Sequence, residues 1–176
     1  MKRIKRIIAI VVLISSILLL SSCLEGNKIM RIISFKNDDK IENQVFIQIK
    51  DSIKNRDNMA LKSQFSARAI SRAENLDAQI DIFFDFFEGE IISWKVDGSY
   101  VGKSNLIEGK TKEFVSIYII ETDKRKYILK VAHFYINTNE PDLVGINSIQ
   151  VIYSEDESRM LEKWHDDTFY GIAVGY

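Results

Sequence analysis

The chain has 176 residues, of which 46% are hydrophobic, which is enough for one sizeable core and too little for two ordinary domains. Four of its 24 basic residues lie among the first six positions, and the remainder carries more acidic than basic side chains, so it lacks the clustered Lys and Arg that binding to nucleic acid requires. The single cysteine, Cys23, excludes an internal disulfide and a cysteine-based metal cluster, and we expect no metal or other cofactor.

The N-terminus has the three parts of a secretory signal peptide. The basic segment MKRIKR is followed by an apolar run from Ile7 to Leu20, which is shorter than the ~20 residues that a transmembrane helix needs. The next positions, Ser21, Ser22 and Cys23, complete with Leu20 a pattern that resembles the bacterial lipobox. In that motif a diacylglycerol is attached to the cysteine, and its acyl chains hold the protein in the membrane.

These features predict the organisation of the whole chain. Residues 1–22 are expected to be a lipoprotein signal peptide, residues 23–37 a tether and residues 38–176 the folded domain. The predicted location is the extracytoplasmic face of the cell membrane, with the membrane contacted through lipidated Cys23.

Two helices are predicted next. Capping side chains stand at 37–39, and apolar residues then recur at intervals of four, as on an amphipathic helix: Ile41, Val45, Ile49 and Ile53. Met59, Leu61 and Phe65 indicate a shorter second helix that ends near Ser66. The segment Ala67–Arg72 is either a linker or a continuation of that helix.

The third predicted helix begins close to Asn75 and carries a cluster of phenylalanines. Its apolar residues recur at helical spacing, so one flank must be buried against another layer: Ile80, Phe83, Phe84 and Phe87. We expect Gly89 to end this helix in the left-handed conformation, with a strand immediately after it.

Beyond Gly89 the pattern changes to that of strands. A strand is predicted over Glu90–Val96, with a two-residue hairpin at Asp97-Gly98 that turns the chain back over Ser99–Val101, before a polar loop over Gly102–Gly109. Three further antiparallel strands follow, over Lys112–Glu121, Lys126–Asn137 and Val144–Tyr153. The fold class is therefore α+β, with about three N-terminal helices packed on an antiparallel sheet of about four strands.

This order of elements resembles the NTF2-like, or cystatin-like, cone fold. Two motifs, LKSQFS at Leu61–Ser66 and NLDAQIDIFFDFFEGEIISW at Asn75–Trp94, are similar to those of the DUF5104-type family of small Gram-positive lipoproteins. The resemblance covers roughly residues 38–153 and extends weakly to FYGIAVGY at the C-terminus. It implies the fold and a Gram-positive cell envelope, and no established activity.

His133 is the candidate catalytic residue, because some NTF2-like proteins are enzymes with a His or Asp in the pocket of the cone. On its strand it alternates with Val131 and Tyr135, and a half-buried His beside an aromatic ring could act as a general base of a hydrolase or isomerase. The alternative is a histidine that is hydrogen-bonded within the sheet or exposed on its outer side. The run from His165 to Asp167 is interpreted as a polar linker, since adjacent side chains diverge.

The two longest strands can present either of two faces to the helices. The set Ile117, Ile119, Ala132 and Phe134 is the more apolar, so we predict that it faces the helices. The other face then carries Ser116 and the binding candidates Tyr118, His133 and Tyr135. The C-terminal tail is rich in aromatic residues, which either pack across the open end of the cone, the favoured interpretation, or line a ligand mouth: Trp164, Phe169, Tyr170 and Tyr176. Trp164 is the binding candidate among them.

We therefore expect a non-catalytic module that binds a small molecule or another envelope protein, with a homodimer through the sheet face as a further candidate. The alternative is a small pocket enzyme that uses His133.

Overall fold

The computed structural model describes residues 37–106, 109–156 and 169–175, with side chains of 104–106 excepted. The chain divides into two compact units, 1–43 and 44–176. Of the first unit only 37–43 are described, and they are helical. The predicted signal peptide, Cys23 and most of the tether, like Trp164 and the segment His165–Asp167, lie outside the described residues.

Four α-helices precede the sheet in the described part of the chain. Their bounds are 37–55 (α1), Asn58–Lys62 (α2), Ala67–Arg72 (α3) and Leu76–Phe86 (α4). Side-chain oxygens cap three of them, since Asp57, Ser66 and Asn75 accept hydrogen bonds from backbone N–H groups in the first turns of α2, α3 and α4. Among the residues described, none of the helices is long and apolar enough to cross a membrane.

The sequence left open whether the α3 segment is a linker or a continuation of the preceding helix. The structure shows that it is a separate helix. Ser66 explains this, because its backbone is extended and its hydroxyl accepts from Ala69 N at 3.0 Å, which starts a new helix. Two short 3-10 turns, Pro141–Leu143 and Ser154–Asp156, follow later, so helical structure is not confined to the N-terminal part.

The sheet has five strands in the order β1-β2-β3-β4-β5. Their bounds are Ile91–Leu106 (β1), Gly109–Thr122 (β2), Lys126–Asn137 (β3), Gly145–Tyr153 (β4) and Gly171–Val174 (β5). The first four pair antiparallel, as predicted, and β5 pairs parallel with β4. The prediction of about four strands missed β5, which is only four residues long and lies in the C-terminal tail.

The predicted hairpin at Asp97-Gly98 is wrong. β1 continues through both residues and pairs with β2 along its whole length, as Val96 opposes Tyr118 and Gly98 opposes Ile117. The extra residue, Asp97, is accommodated as a bulge, so Ser99–Val101 extends the same strand. Because β2 is long enough to pair with the whole of β1, sheet pairing overrides the local turn preference.

One face of the sheet, the inner face, packs against the helices. The α4 residues Ile80, Phe83 and Phe84 are buried there, and the partly buried Phe87 packs against Tyr127 with ring centres 4.6 Å apart. The predicted apolar flank of this helix is therefore confirmed. Its end differs from the prediction, since α4 stops at Phe86 and Gly89, at φ +81°, forms the turn into β1.

The predicted assignment of the two sheet faces is wrong. Tyr118 and His133 lie on the inner face, and the Tyr118 ring stacks on Phe46 of α1 at 4.6 Å. The set Ile117, Ile119, Ala132 and Phe134 lies on the opposite side, the outer face, because it alternates with the inner residues. Apolar content did not decide between the faces, since the outer face has an apolar cluster of its own: Ile117, Ile128 and Ile152.

Candidate ligand cavity on the outer face of the sheet

A cavity of about 550 Å³ lies against the outer face. The strand register places its floor residues in adjacent rows. One row runs Tyr100, Val115, Ala132 and Ser148 across β1 to β4, and the next has Lys130 opposite Gln150. Glu113 and Phe134 form a third row, and the remaining lining comes from outside these rows: Arg68, Glu140, Leu143, Asn147, Phe169 and Tyr170.

Gln150 is a lining residue whose buried side-chain oxygen lacks a hydrogen-bond partner among the described residues. Its side chain is only 6% exposed, it lines the cavity, and its Oε1 has no hydrogen-bond partner among the described residues. Asn147, the other amide in the lining, is satisfied, because its Oδ1 accepts from Ser66 Oγ at 2.6 Å and its Nδ2 donates to Leu143 O at 3.2 Å. A buried acceptor without a partner costs ~1–3 kcal/mol, so Gln150 is the group that a donor in the cavity would satisfy.

The charge of Arg68 in the lining is compensated by two carboxylates. Arg68 donates from Nε and Nη2 to the two oxygens of Asp142 at 2.8 and 2.9 Å, and from Nη1 to Glu140 at 2.8 Å. The bonds to Asp142 and Glu140 raise the pKa of Arg68, and the Arg68 guanidinium in turn lowers the pKa of the Asp142 carboxyl. Lys130 and Glu113, the other charged lining residues, also have interaction partners.

Four aromatic side chains line the cavity. Tyr100 of β1 and Phe134 of β3 come from the sheet, and Phe169 and Tyr170 come from the segment directly before β5. The ring of Tyr170 lies against a cation, since its centre is 5.8 Å from the guanidinium carbon of Arg72. The cavity therefore combines flat apolar surfaces with a few fixed polar groups, which is typical of small-ligand sites.

His133 lies elsewhere, on the inner face. It is 4% exposed and stacks on Phe114, with ring centres 4.9 Å apart and planes inclined by 9°. Burial lowers the pKa of His133 to about 4, so the ring is neutral at pH 7. Neither ring nitrogen has a hydrogen-bond partner among the described residues, and His133 lines neither of the two cavities described in this section.

A second cavity, of about 320 Å³, lies between α1 and α2 and has a polar lining. Its acidic residues are Asp51 and Asp57, and Asp57 already caps α2 through a bond from Ala60 N of 2.9 Å. Over the part of the chain that the structure describes, no group of three or more His, Cys, Asp or Glu side chains is arranged to hold a metal ion.

Comparison with known proteins connects this fold to a family. The model of a domain of unknown function, DUF5104, matches residues 48–154, more than half of the chain. The chain belongs to the DUF5104 family. No curated protein matches it.

The match covers part of the cavity of this DUF5104 domain. It includes Arg68, Tyr100 and the floor residues of β2 to β4, Gln150 among them, and ends before Phe169 and Tyr170. It also includes both motifs that carried the sequence resemblance, at Leu61–Ser66 and Asn75–Trp94.

The binding residues predicted for this DUF5104 domain are not brought together. Tyr118 is fully buried on the inner face, and it packs against Phe46 and Trp94 as part of the core. Tyr135 is 51% exposed and lies near the Lys112 ammonium, which is 5.6 Å from its ring centre. Trp164 and the lipid-attachment residue Cys23 lie outside the described residues.

The cavity residues were missed for two reasons. Ala132 and Phe134 had been assigned to the helix side, so their face was not considered as a binding surface. Gln150 gives no local signal, because its burial results from the packing of several segments. The one useful signal was the aromatic tail, which was predicted either to pack across the domain or to line a ligand mouth, and two of its members, Phe169 and Tyr170, line the cavity.

Proposed function

We propose that this DUF5104 protein is a non-catalytic binding module, held at the extracytoplasmic face of the membrane by lipid on Cys23, and that its ligand occupies the outer-face cavity. The observation that carries this proposal is Gln150, which lines the cavity of about 550 Å³ and whose buried Oε1 has no hydrogen-bond partner among the described residues. A ligand that donates a hydrogen bond there removes a desolvation penalty that the protein otherwise retains.

The size and composition of the cavity support a small ligand. Its volume falls within the ~300–1,000 Å³ range of ligand pockets, and aromatic rings make up part of its wall. The floor is formed by paired strands, which hold Val115, Ala132 and Ser148 in fixed register. A preformed floor reduces the conformational entropy lost on binding.

The placement at the membrane rests on the sequence of the N-terminus, from the basic segment MKRIKR to Cys23. We also propose that the fold is the NTF2-like cone and that the cell envelope is Gram-positive. The packing of helices on one face of a largely antiparallel sheet is consistent with that cone.

The non-catalytic version is favoured over an enzyme that uses His133. General-base catalysis requires a group within hydrogen-bond reach of substrate, with a pKa near the working pH. His133 is 4% exposed, and burial lowers its pKa to about 4. Its closest described ring contact is Phe114, which offers no proton to relay.

A thermal-shift panel of chemically diverse small molecules tests the cavity as a binding site. The full chain and an Ala132→Trp variant, whose indole would fill the floor of the cavity, are compared. We expect at least one compound class to raise the melting temperature of the parent protein and to leave that of Ala132→Trp unchanged. A flat response of the parent across the panel, or equal shifts for both proteins, would remove the proposal.

A further inference from the structure

We infer that the ligand of the outer-face cavity is a short, uncharged saccharide of one or two sugar rings. This inference rests on the proposed function, because it specifies the chemistry of the ligand for the same cavity. Three properties of the lining lead to it: its charge, its polar groups and its aromatic surfaces.

The charge of the lining favours a neutral ligand. Arg68 is one of the two cations in the lining, but its three donor nitrogens already bind the carboxylates of Asp142 and Glu140. An anionic ligand would have to displace these charge-assisted bonds, which are the strong ones. The other two charged lining residues, Lys130 and Glu113, carry opposite charges, and both have interaction partners. A cationic ligand would therefore also have to compete with existing interactions.

The polar groups favour a ligand that brings hydroxyl or N–H donors. Gln150 lines the cavity and its Oε1 is an acceptor without a partner among the described residues, so a ligand group that reaches this oxygen must be a donor. Ser148 is in the neighbouring row of the floor and adds a hydroxyl that can donate or accept. A purely hydrocarbon ligand, such as an acyl chain, would leave the Gln150 oxygen unpaired and would gain nothing from this position.

The aromatic residues favour a ligand with a flat apolar face. A pyranose ring presents C–H bonds on its faces and hydroxyl groups around its edge. Phe134, Phe169 and the two tyrosines can cover such faces while Gln150 and Ser148 meet the edge. The cavity volume of about 550 Å³ suits one or two rings and not a long polymer segment.

The test measures saccharide binding by saturation-transfer difference NMR on the full chain, in a detergent without a sugar headgroup. The probes are cellobiose and N,N′-diacetylchitobiose, and the comparison compound is trialanine with blocked ends, an uncharged peptide of similar size. We expect transfer to at least one disaccharide and none to the peptide.

The Gln150→Leu variant tests the role of the unpaired oxygen. It should weaken disaccharide binding about tenfold, since a ligand hydroxyl loses its partner. The same variant should melt at an equal or higher temperature, because it replaces a buried unpaired acceptor with an apolar group. The matched control is Gln48→Leu on α1, at an exposed position that does not line this cavity, and it should bind as the parent does.

The outcomes separate this inference from the proposed function. If the peptide or another compound binds in a manner that Ala132→Trp abolishes while both disaccharides are silent, the saccharide inference fails and the cavity function stands. If no compound of any class binds, both fail. Equal disaccharide affinity in the parent and Gln150→Leu would also overturn the inference, since its contact atom would then be irrelevant.

Discussion

Gln150 and His133 are both buried polar residues with atoms that lack a partner among the described residues, yet their surroundings give them different consequences. Gln150 lines a cavity, so a ligand can supply the missing donor. His133 stacks on Phe114 inside the core, so the free energy of its missing hydrogen bonds is a permanent loss of stability. Gln150 is therefore relevant to ligand binding, and His133 is relevant to the dependence of stability on pH.

Acid should destabilise the protein through His133. Its pKa is about 4 in the folded protein and ~6.5 in the unfolded chain. Between these values the unfolded state binds more protons, so the free energy of unfolding falls as the pH is lowered from ~6.5 to 4, by ~3 kcal/mol in total. Below the folded pKa this contribution no longer changes. Urea unfolding at a series of pH values measures it.

The His133→Phe variant is the control for that titration. It keeps a planar ring against Phe114 and removes the ionisable group. Its free energy of unfolding should depend less on pH in the window from ~6.5 to 4 than that of the parent. Identical pH profiles would mean that the pKa of His133 does not differ between the folded and unfolded states.

Among the secondary-structure elements, the core depends most on α4, on the turn after it and on β1. Phe83 and Phe84 lie under the sheet, and Tyr127 of β3 joins this unit by accepting a 2.7 Å hydrogen bond from Glu88 N just beyond the helix. Gly89 and Asp123 then connect the start of β1 to the β2–β3 turn, because Asp123 Oδ1 accepts from Glu90 N at 2.8 Å.

Phe84→Ala should lower the free energy of unfolding by ~3–5 kcal/mol, because the ring is only 2% exposed and its loss leaves a cavity. Ile82→Ala is the matched control on the same helix. Ile82 is 57% exposed, so its truncation should cost less than ~1 kcal/mol. Chemical denaturation of both variants measures the difference, and equal losses would contradict the assigned helix face.

Gly89→Ala should destabilise the protein by ~1–3 kcal/mol, because a non-glycine residue at this φ is strained. Its added Cβ would also stand 2.0 Å from Asp123 Oδ1, so the bond to Glu90 must shift. Gly98→Ala is the control, because at this position in β1 the new Cβ meets nothing closer than Ile117 Cδ1 at 3.8 Å. Thermal unfolding compares the two, and similar melting temperatures would show that the turn tolerates a side chain.

Local sequence patterns predicted correctly those elements whose two sides differ sharply in hydrophobicity. The spacing of Ile80, Phe83 and Phe84 was sufficient for α4, and the bounds of β3, Lys126–Asn137, agree with the strand predicted from its alternation. The Asp97-Gly98 pair led to a wrong hairpin prediction, because the pairing of β1 along the full length of β2 outweighs the local preference for a turn.

The sheet faces show where sequence patterns stop being informative. Both faces of β2 and β3 are partly apolar, with Tyr118 inside and Ile117 outside, so hydrophobicity alone did not choose between them. The choice depends on shape, as Phe46 and Trp94 provide flat partners for the Tyr118 ring. The candidate site could not be predicted either, because Arg68, Gln150 and Tyr170 meet only through tertiary packing.

In the whole molecule, the proposed N-terminal anchor precedes a domain whose inner sheet face is covered by its own helices. The outer face is then the side of the sheet left for a ligand, and its cavity includes residues from α3, from β1 to β4 and from the segment before β5. In this proposal, the anchor sets the location of the domain, and ligand binding in the cavity is its function.

Cys23→Ser should release the protein from the membrane fraction or leave it as an unprocessed precursor, because serine cannot form the thioether to diacylglycerol. Ser22→Ala keeps a small residue before the cysteine and should be anchored normally. Cell fractionation with immunoblotting distinguishes these forms. A fully processed Cys23→Ser protein that stays in the membrane fraction would contradict the lipobox.

NMR of the full chain with labelled alanine methyl groups tests directly whether the ligand occupies the outer-face cavity. The protein is titrated with the compound that gives the largest thermal shift. Ala132 lies on the cavity floor, and Ala69 is fully buried in the core against the inner face. We predict that the Ala132 methyl signal shifts in a saturable manner while that of Ala69 stays in place. A saturable shift of Ala69 with no change at Ala132 would place the ligand on the helix side and contradict the account.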